Sequence, residues 1–251
     1  MSKLTKIRLK NHNIATDLLK KDILSDEDKE FVIENWKPYA DHNISASATF
    51  FTPVDVCDEL SIQVLSSLDP QKKYTILDLC AGIGNLSSSI VNNNRHDNTE
   101  IIAVEFNQDF IDVGKKLLPK VTWINYDAFD EDFWVKNDFT NNKVDFMICN
   151  PPFSLRHDWS GELQLRSELI SYLICLKYSK FGGYFIVPQN CVPFEYSGRP
   201  YYSSSVSPVW NKVLKIYPKA NCECLSVDMS IYTELWDNVT PNVELVFVYN
   251  E

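Results

Sequence analysis

The chain has 251 residues, of which 45% are hydrophobic and 23% charged, and this composition excludes a disordered, collagen-like or coiled-coil protein. No apolar run approaches the roughly 18–20 residues of a membrane span, and the basic N-terminus lacks the apolar core of a secretory signal. The net charge of −10 counts against a broadly basic nucleic-acid-binding surface, and the seven scattered cysteines show neither a disulfide framework nor zinc spacing. We therefore expect a cytoplasmic protein with no metal site and no membrane partner.

The predicted elements begin with a helix within residues 22–36, for which Ser25 is the candidate N-cap. This helix follows a cluster of basic side chains, namely Lys3, Lys6, Arg8, Lys10, Lys20 and Lys21. Residues 1–47 are therefore expected to form a basic, helical N-terminal extension of a main domain at residues 48–251. A second helix is predicted near the start of that domain, over residues 53–68.

The pattern then changes to short apolar runs that alternate with helical segments. Strands are predicted at residues 75–79, 100–105, 121–125, 144–149 and 183–187, and helices at residues 86–92, 108–118 and 165–180. Continuously apolar runs such as TILDL and DFMIC indicate strands covered on both faces. The alternation predicts an α/β fold with a doubly wound, mostly parallel sheet of seven strands and helices on both faces. Its last two strands, at residues 224–229 and 243–249, are expected to form a C-terminal antiparallel pair.

The segment ILDLCAGIGNL places Asp78 at the end of a strand, and Gly82 and Gly84 in the turn before a helix. Glycine lets a backbone turn sharply and approach a ligand without a clash of Cβ. The third glycine of a dinucleotide fingerprint is missing from this turn. A carboxylate ahead of it suits a cofactor with a cationic amino group and a sulfonium better than a pyrophosphate.

Acidic residues also end the next two predicted strands. Glu105 is placed to accept hydrogen bonds from ribose hydroxyls, and Asp127 to accept one from an adenine amino group. Phe106 and Phe129 follow them and are candidates for contact with the adenine ring. One acidic residue at a strand end is ordinary, but three at consecutive strand ends beside a Gly-x-Gly turn predict a cofactor site.

Asn150, Pro151, Pro152 and Phe153 follow the apolar run VDFMIC. Proline fixes φ and has no N–H, so the carbonyl groups of this turn point outward. The asparagine oxygen and a rigid carbonyl form two acceptors beside an aromatic ring, an arrangement that recognises a planar amino group. Acceptors that draw the two hydrogens out of plane favour attack by a weakly nucleophilic nitrogen. These four residues are therefore the predicted catalytic residues.

The motifs ILDLCAGIGNL, AVEFN, NYDAF and NPPF, in this order, resemble those of S-adenosylmethionine-dependent adenine-N6 DNA methyltransferases. FFTP at residues 50–53 is similar to the Phe-x-Thr-Pro segment in the γ arrangement of that family. The resemblance covers residues 48–190 and implies a class I methyltransferase domain that binds S-adenosyl-L-methionine and acts on an adenine extruded from DNA. It implies cofactor contacts by Phe51, Thr52, Pro53, Asp78, Ala81, Gly82, Gly84, Glu105, Phe106, Asp127, Ala128 and Phe129.

Two departures from the family leave other functions open. Only about 60 residues follow Asn190, which leaves no obvious target-recognition domain, and the overall charge is acidic. A dimer or a helper subunit is therefore a candidate for target recognition. Within the cytoplasm, activity associated with the nucleoid is left open. The alternatives to a DNA enzyme are an RNA adenine-N6 methyltransferase, a protein-glutamine N5 methyltransferase and a non-catalytic subunit with this fold. The segment after Phe153 is either a substrate cover or a solvated loop, and candidate nucleic-acid contacts are Arg156, His157, Arg166, Arg199 and Lys212.

Overall fold

The computed structural model describes residues 6–37, 51–193, 195–196, 202–203, 207–225, 227–236 and 241–251. The strands are β1 (Tyr74–Leu79), β2 (Thr99–Glu105), β3 (Thr122–Asn125), β4 (Val144–Cys149), β5 (Arg156–Trp159), β6 (Glu162–Arg166), β7 (Ser179–Pro188), β8 (Glu195–Tyr196), β9 (Tyr202–Ser203), β10 (Ala220–Cys224) and β11 (Val243–Asn250). The α-helices are α1 (Lys6–Leu18), α2 (Asp26–Asn35), α3 (Val54–Ser66), α4 (Asn85–Asn93), α5 (Gln108–Leu117), α6 (Glu131–Lys136), α7 (Ser167–Tyr178) and α8 (Pro208–Ile216). Short 3₁₀ helices lie at Gln189–Cys191 and Met229–Leu235.

Seven strands form one sheet in the order β10-β11-β7-β4-β1-β2-β3. Strands β3, β2, β1, β4 and β7 run parallel, β11 is antiparallel to β7, and β10 is antiparallel to β11. This topology confirms the predicted mostly parallel seven-stranded sheet with a C-terminal antiparallel pair. The carboxyl ends of β1, β2, β3 and β4 meet at one edge, where ligands bind in folds of this kind.

Helices cover both faces of the sheet, which explains why the central strands are continuously apolar. Ile76 and Ile148 face a buried cluster that also contains side chains of α1 to α5. Leu77 and Met147 face the opposite cluster, which contains side chains of α6, α7 and α8. The sheet is therefore the middle layer of a three-layer molecule.

The N-terminal helices pack against the main domain. Helix α2 begins at the predicted N-cap Ser25, whose side chain forms a capping box with Asp28. Helix α1 was not predicted from the sequence, and its Asn11 donates a hydrogen bond to Asn35 of α2 at 3.0 Å. Lys116 of α5 donates to the backbone carbonyls of Leu19 and Lys21, at 2.6 and 3.2 Å. The two helices, called the α1–α2 unit below, are thereby attached to α5, in the layer of helices that packs against Ile76 and Ile148.

Two sequence predictions of local structure were wrong. The strand predicted at residues 224–229 lies earlier in the chain, since β10 covers Ala220–Cys224 and Asp228 caps the 3₁₀ helix that starts at Met229. The helix predicted at residues 165–180 starts only at Ser167, because β6 pairs with β5 in a hairpin. Ser160 and Gly161 form the turn of this hairpin with φ of 53° and 81°, as a type I′ turn requires.

Helices α6 and α8 were also missed. The sequence did carry a signal for α8, since Ser207 is an N-cap and Pro208 occupies the first turn. None of the helices in the described ranges has the length and apolar character needed to cross a bilayer.

Replacement of Gly114 by alanine tests the packing of α5 on β3. A Cβ at this position would lie 2.3 Å from two ring carbons of Trp123, closer than carbon atoms can pack. Helix propensity alone favours alanine over glycine by about 1 kcal/mol. We expect overpacking to reverse that sign, so that Gly114→Ala lowers the free energy of unfolding by about 1–3 kcal/mol.

Urea denaturation measures this change, with Ser66→Ala at the exposed end of α3 as the propensity control. A Gly114→Ala protein as stable as the wild type would show that Trp123 moves aside without cost.

Candidate functional site

A cavity of about 620 Å³ opens at the carboxyl ends of the central parallel strands. Every sequence-predicted site residue lines it except Pro53 and Gly84. Pro53 is the N-cap of α3, and Gly84 is the N-cap of α4 with its φ at 91°. The volume lies within the range of roughly 300–1,000 Å³ found for small-molecule sites. The topology therefore brings the dispersed motifs of the sequence to one place.

His157, a predicted nucleic-acid contact, also lines the cavity, and the lining residues that were not predicted are Cys80, Asn85, Leu86, Val104, Asn107, Phe110, Tyr126, Leu155 and Trp236. Most of them are neighbours of motif residues, so the motifs themselves were the available signal. Phe110 lies one turn into α5. Trp236 is different, because it comes from the segment between β10 and β11 and belongs to no motif.

The turn between β1 and α4 has a left-handed backbone. Cys80, Gly82 and Gly84 have φ of 60°, 59° and 91°. A Cβ on Gly82 would stand 3.1 Å from the ring of Phe51, so a larger residue there would be both strained and crowded. The turn is therefore shaped by glycine at the position where it meets Phe51.

Glu105 fixes this turn to the next one. Its carboxylate accepts hydrogen bonds from the backbone N–H groups of Gly82 at 2.9 Å, Phe106 at 3.0 Å and Asn107 at 2.9 Å. Burial raises the pKa of Glu105, and these three hydrogen bonds oppose that shift. Because a carboxylate has about four acceptor positions, Glu105 retains capacity for one ligand hydroxyl.

Asp78 is almost completely buried at the base of the cavity. Its Oδ2 accepts a hydrogen bond from Ser87 at 2.6 Å, whereas its Oδ1 has no partner within the part of the chain that the structure describes. Burial raises the pKa of Asp78 to about 7, and the nearby charge of Glu105 adds to the shift. A ligand that brings a cationic or N–H donor would satisfy Oδ1 and stabilise the ionised carboxylate.

Thr52 holds two amide side chains of the cavity. Its backbone carbonyl accepts from Nδ2 of Asn85 at 2.9 Å, and its hydroxyl accepts from Nδ2 of Asn150 at 2.8 Å. Both amide nitrogens are thereby occupied, and both amide oxygens are buried and without partners among the described residues. The cavity is thus supplied with two oriented acceptors.

The turn at residues 150–153 is supported from behind by an ion pair. Glu168 is fully buried, accepts from the backbone N–H of Ser154 at 2.9 Å and pairs with Arg166 at 2.9 Å. Ser154 has a φ of 64°, so this turn reverses through a left-handed residue. The buried Glu168 and the partly exposed Arg166 therefore fix the exit of the Asn-Pro-Pro-Phe segment.

The segment after Phe153 is a β-hairpin that borders the cavity. Leu155 and His157 line it, and the His157 ring lies 4.5 Å from that of Phe129 between centroids. His157 Nε2 also lies 3.1 Å from the Ser167 hydroxyl. Through His157, the hairpin therefore contacts both Phe129 in the loop after β3 and Ser167 at the start of α7.

The predicted basic contacts have different surroundings, although Arg156 and Arg166 are opposite each other in the β5–β6 hairpin. Arg156 is exposed and donates to the carbonyl of Gln164, Arg166 is engaged with Glu168, and Lys212 is exposed on α8. Arg199 lies outside the described residues. No group of three or more histidine, cysteine or acidic side chains able to hold a metal ion occurs in the described ranges.

The fold and the cavity define a class I S-adenosylmethionine-dependent methyltransferase. Residues 43–172 match the family model of the methyltransferase small domain, and the chain therefore belongs to this family. No curated protein sequence matches the chain.

Solved structures share the fold at low sequence identity. A class I S-adenosylmethionine-dependent methyltransferase described as putative, from Listeria monocytogenes, has a TM-score of 0.61 at 15% identity, covering 98% of this chain and 82% of its own. A type I restriction-modification methyltransferase subunit from Streptococcus thermophilus has a TM-score of 0.60 at 16% identity, covering 88% of this chain and 48% of its own. The chain thus spans about half the length of that subunit. An RNA methyltransferase described as putative, from Pyrococcus horikoshii, has a TM-score of 0.53 at 16% identity, covering 95% and 98%.

The cofactor of this class is S-adenosyl-L-methionine, and the cavity residues fit it. Asp78 and Asn85 each have an oxygen with no partner in the described part of the chain, and these oxygens are acceptors for an ammonium group. Gly82 keeps the wall of the cavity free of a side chain, and Glu105 has an acceptor position left for a hydroxyl. These hydrogen-bond acceptors suit a ligand that carries a cationic group and hydroxyl groups.

Replacement of Asp78 by asparagine tests its raised pKa. Between about pH 4 and pH 7 the native protein keeps a proton on Asp78 that the unfolded chain has released. The contribution of Asp78 to stability is therefore present at low pH and is lost as the pH rises through about 7. We expect the free energy of unfolding of Asp78→Asn, relative to wild type, to increase between pH 5 and pH 8.

Urea denaturation of both proteins without cofactor, at several pH values, measures this difference. A difference that is independent of pH, or that falls with pH, would contradict the assignment.

Proposed function

We propose that this chain transfers a methyl group from S-adenosylmethionine to the exocyclic N6 amino group of adenine in DNA. The observation that carries the proposal is the buried Oδ1 of Asn150, which has no partner among the described residues and belongs to an amide that Thr52 orients at the cavity. An amino group on an aromatic ring supplies the missing hydrogen to Oδ1 and a planar surface to Phe153.

The cofactor residues have separate tasks. Asp78 and Asn85 accept from the ammonium group, Glu105 accepts from a ribose hydroxyl, and Asp127 accepts from the cofactor's adenine amino group. Asp127 is suited to this because its Oδ1 receives the backbone N–H of Phe129 and its Oδ2 remains available. Phe106, which is 72% exposed, and Phe129 provide apolar surface for the adenine ring. S-adenosylmethionine, when bound, supplies a methyl group activated on a sulfonium sulfur.

Residues of the Asn-Pro-Pro-Phe turn hold and activate the target nitrogen. Asn150 Oδ1 and a carbonyl of the Pro151–Pro152 segment accept its two hydrogens, and Phe153 stacks on the base. These acceptors draw the hydrogens out of the ring plane, so that the nitrogen lone pair becomes available for in-line attack. The departing proton leaves after the new bond has formed, when the nitrogen is cationic and acidic, so a strong general base is not required.

DNA is the proposed polymer because the motif order resembles that of DNA adenine methyltransferases. The phosphate backbone would remain outside the cavity, near exposed cations such as Arg156 and Lys212, while the base enters it. We assign residues 48–251 to the catalytic domain and residues 1–47 to an N-terminal extension. A second copy or a helper subunit would add target recognition, and the cytoplasm is the proposed location.

Methyl transfer from tritium-labelled S-adenosylmethionine tests the function. The chain is offered duplex DNA, single-stranded DNA, RNA and a protein lysate, and each product is digested to nucleosides or amino acids. We expect label in N6-methyladenine from DNA. Asn150→Ala should reduce the transfer by about a hundredfold or more, because it removes the acceptor that activates nitrogen.

The affinity for S-adenosylhomocysteine is the control, since Asn150→Ala should leave it nearly unchanged. Label in N5-methylglutamine would favour a protein methyltransferase, and label in RNA would change the polymer. Equal loss of cofactor affinity and transfer would contradict the assigned role of Asn150.

Thr52 is a positioning residue for Asn150, and Thr52→Val tests this role. Valine keeps the shape of threonine but leaves Nδ2 of Asn150 without its acceptor. We expect the single-turnover rate to fall by about ten- to hundredfold with little change in S-adenosylhomocysteine affinity, because the amide loses its fixed orientation. Thr52→Ser retains the hydroxyl and should restore most of the rate. Equal rates in the valine and serine variants would show that the hydroxyl does not position Asn150.

A further inference from the structure

Trp236 is a cavity-lining residue with a buried hydrogen-bond donor. It is 3% exposed and lines the cavity, and its indole nitrogen has no partner within the described residues. An indole N–H can donate but cannot accept, and a buried donor without a partner costs about 1–3 kcal/mol. An acceptor that arrives with a ligand would remove this cost.

The segment that carries Trp236 has a local cap and a hydrogen bond to α3. Asp228 Oδ1 accepts from both the backbone N–H and the hydroxyl of Ser230, at 3.1 and 2.6 Å, and thereby caps the 3₁₀ helix at Met229–Leu235. Tyr232 in this helix donates to Glu59 of α3 at 2.6 Å. The indole is therefore held in place by the fold and does not depend on a ligand to order it.

Trp236 lies at the end of the cavity where the methyl-accepting base is proposed to bind. Its ring centroid is 6.5 Å from that of Phe153, the residue proposed to stack on the target base. The cofactor-binding carboxylates belong to β1, β2 and the loop after β3, whereas Trp236 precedes β11 on the other side of β4 in the sheet order. Among the cavity-lining residues, Trp236 thus lies beside Phe153 and comes from the part of the chain beyond β4, away from the strands that carry the proposed ribose and adenine contacts.

We infer that Trp236 donates a hydrogen bond to the ring nitrogen adjacent to the amino group held by Asn150. This inference rests on the proposed adenine-N6 activity. In adenine, N1 and N7 flank the exocyclic N6, so either edge of the base offers an amino donor beside a ring acceptor. Asn150 as acceptor and Trp236 as donor are complementary to such an edge. Trp236 is therefore a specificity residue, and a base without that ring nitrogen leaves the indole unpaired.

Trp236→Phe tests the donor, because phenylalanine keeps an aromatic ring against Phe153 and removes the N–H together with the rest of the five-membered ring. The substrates are pools of randomised DNA oligonucleotides that contain adenine, 1-deazaadenine or 7-deazaadenine at every adenine position. On the adenine pool we expect kcat/KM to fall by about tenfold or more in the variant. The wild type should show a comparable fall on one of the deaza pools, and the variant no further fall on that pool.

The affinity for S-adenosylhomocysteine separates a substrate contact from a cofactor contact, and it should be unchanged in Trp236→Phe. Trp210→Phe is the matched control. Trp210, on α8, is equally buried, but it packs against Tyr172 of α7 and does not line the cavity. This control should retain wild-type kcat/KM. Thermal unfolding of both variants monitors folding.

Unchanged kcat/KM in Trp236→Phe, or a loss confined to cofactor affinity, would overturn the inference. Full wild-type activity on both deaza pools would overturn it as well, and this measurement stands even if the variant does not fold. Wild-type label in a product other than N6-methyladenine would contradict the proposed function, and the Trp236 inference would fall with it. In contrast, N6-methyladenine production without any Trp236 effect would contradict the inference alone.

Discussion

The hydrogen bonds of Thr52 connect the parts of the site that come from distant places in the sequence. The carbonyl of Thr52 accepts a hydrogen bond from the amide of Asn85, in the helix after the glycine turn. Its hydroxyl accepts one from the amide of Asn150, after β4. A side-chain amide has one donor end and one acceptor end, so a bond at nitrogen decides where the oxygen points. One residue therefore aims both acceptor oxygens into the cavity. Without it, each amide could rotate and offer nitrogen in place of oxygen, and the polarity of the site would be undefined.

The position of Thr52 depends in turn on an aromatic cluster beneath it. Phe51 stacks on Trp36 with ring centroids 6.1 Å apart and meets Phe110 edge-on at 5.4 Å. Trp36 directly follows α2 and also contacts His12 of α1, at 6.2 Å between ring centroids. The α1–α2 unit therefore packs against the residue that precedes Thr52. This arrangement gives the N-terminal helices a structural part in the site, in addition to the charge that their sequence suggests.

The fold was predictable from sequence because burial leaves a plain signal in parallel strands. Runs such as TILDL must be apolar on both faces, and their ends must meet at one edge, so Asp78, Glu105 and Asn150 could be placed together from their strand positions alone. The hairpin at residues 156–166 was missed because its turn depends on Ser160 and Gly161 at positive φ, whereas the following helix has a strong apolar pattern. Trp236 could not be found in this way. Its place at the cavity depends on a 3₁₀ helix that Glu59 contacts from α3, and no local pattern encodes that contact.

The polarity of the cavity is compatible with the proposed nucleic-acid substrate despite the acidic charge of the chain. Of the buried polar atoms without partners among the described residues, the oxygens of Asp78, Asn85 and Asn150 and the nitrogen of Trp236 belong to cavity-lining residues. Three of these four are acceptors, so the cavity favours cations and N–H groups and disfavours phosphate. A negative cavity is an advantage for holding a sulfonium cofactor and an amino group. A phosphate backbone has to stay outside it, which requires that the target base alone enters and that any phosphate contacts come from exposed side chains or from a partner. The acidic charge is thus consistent with the chemistry proposed for the cavity. Binding of the proposed polymer would then depend on the surface around the cavity.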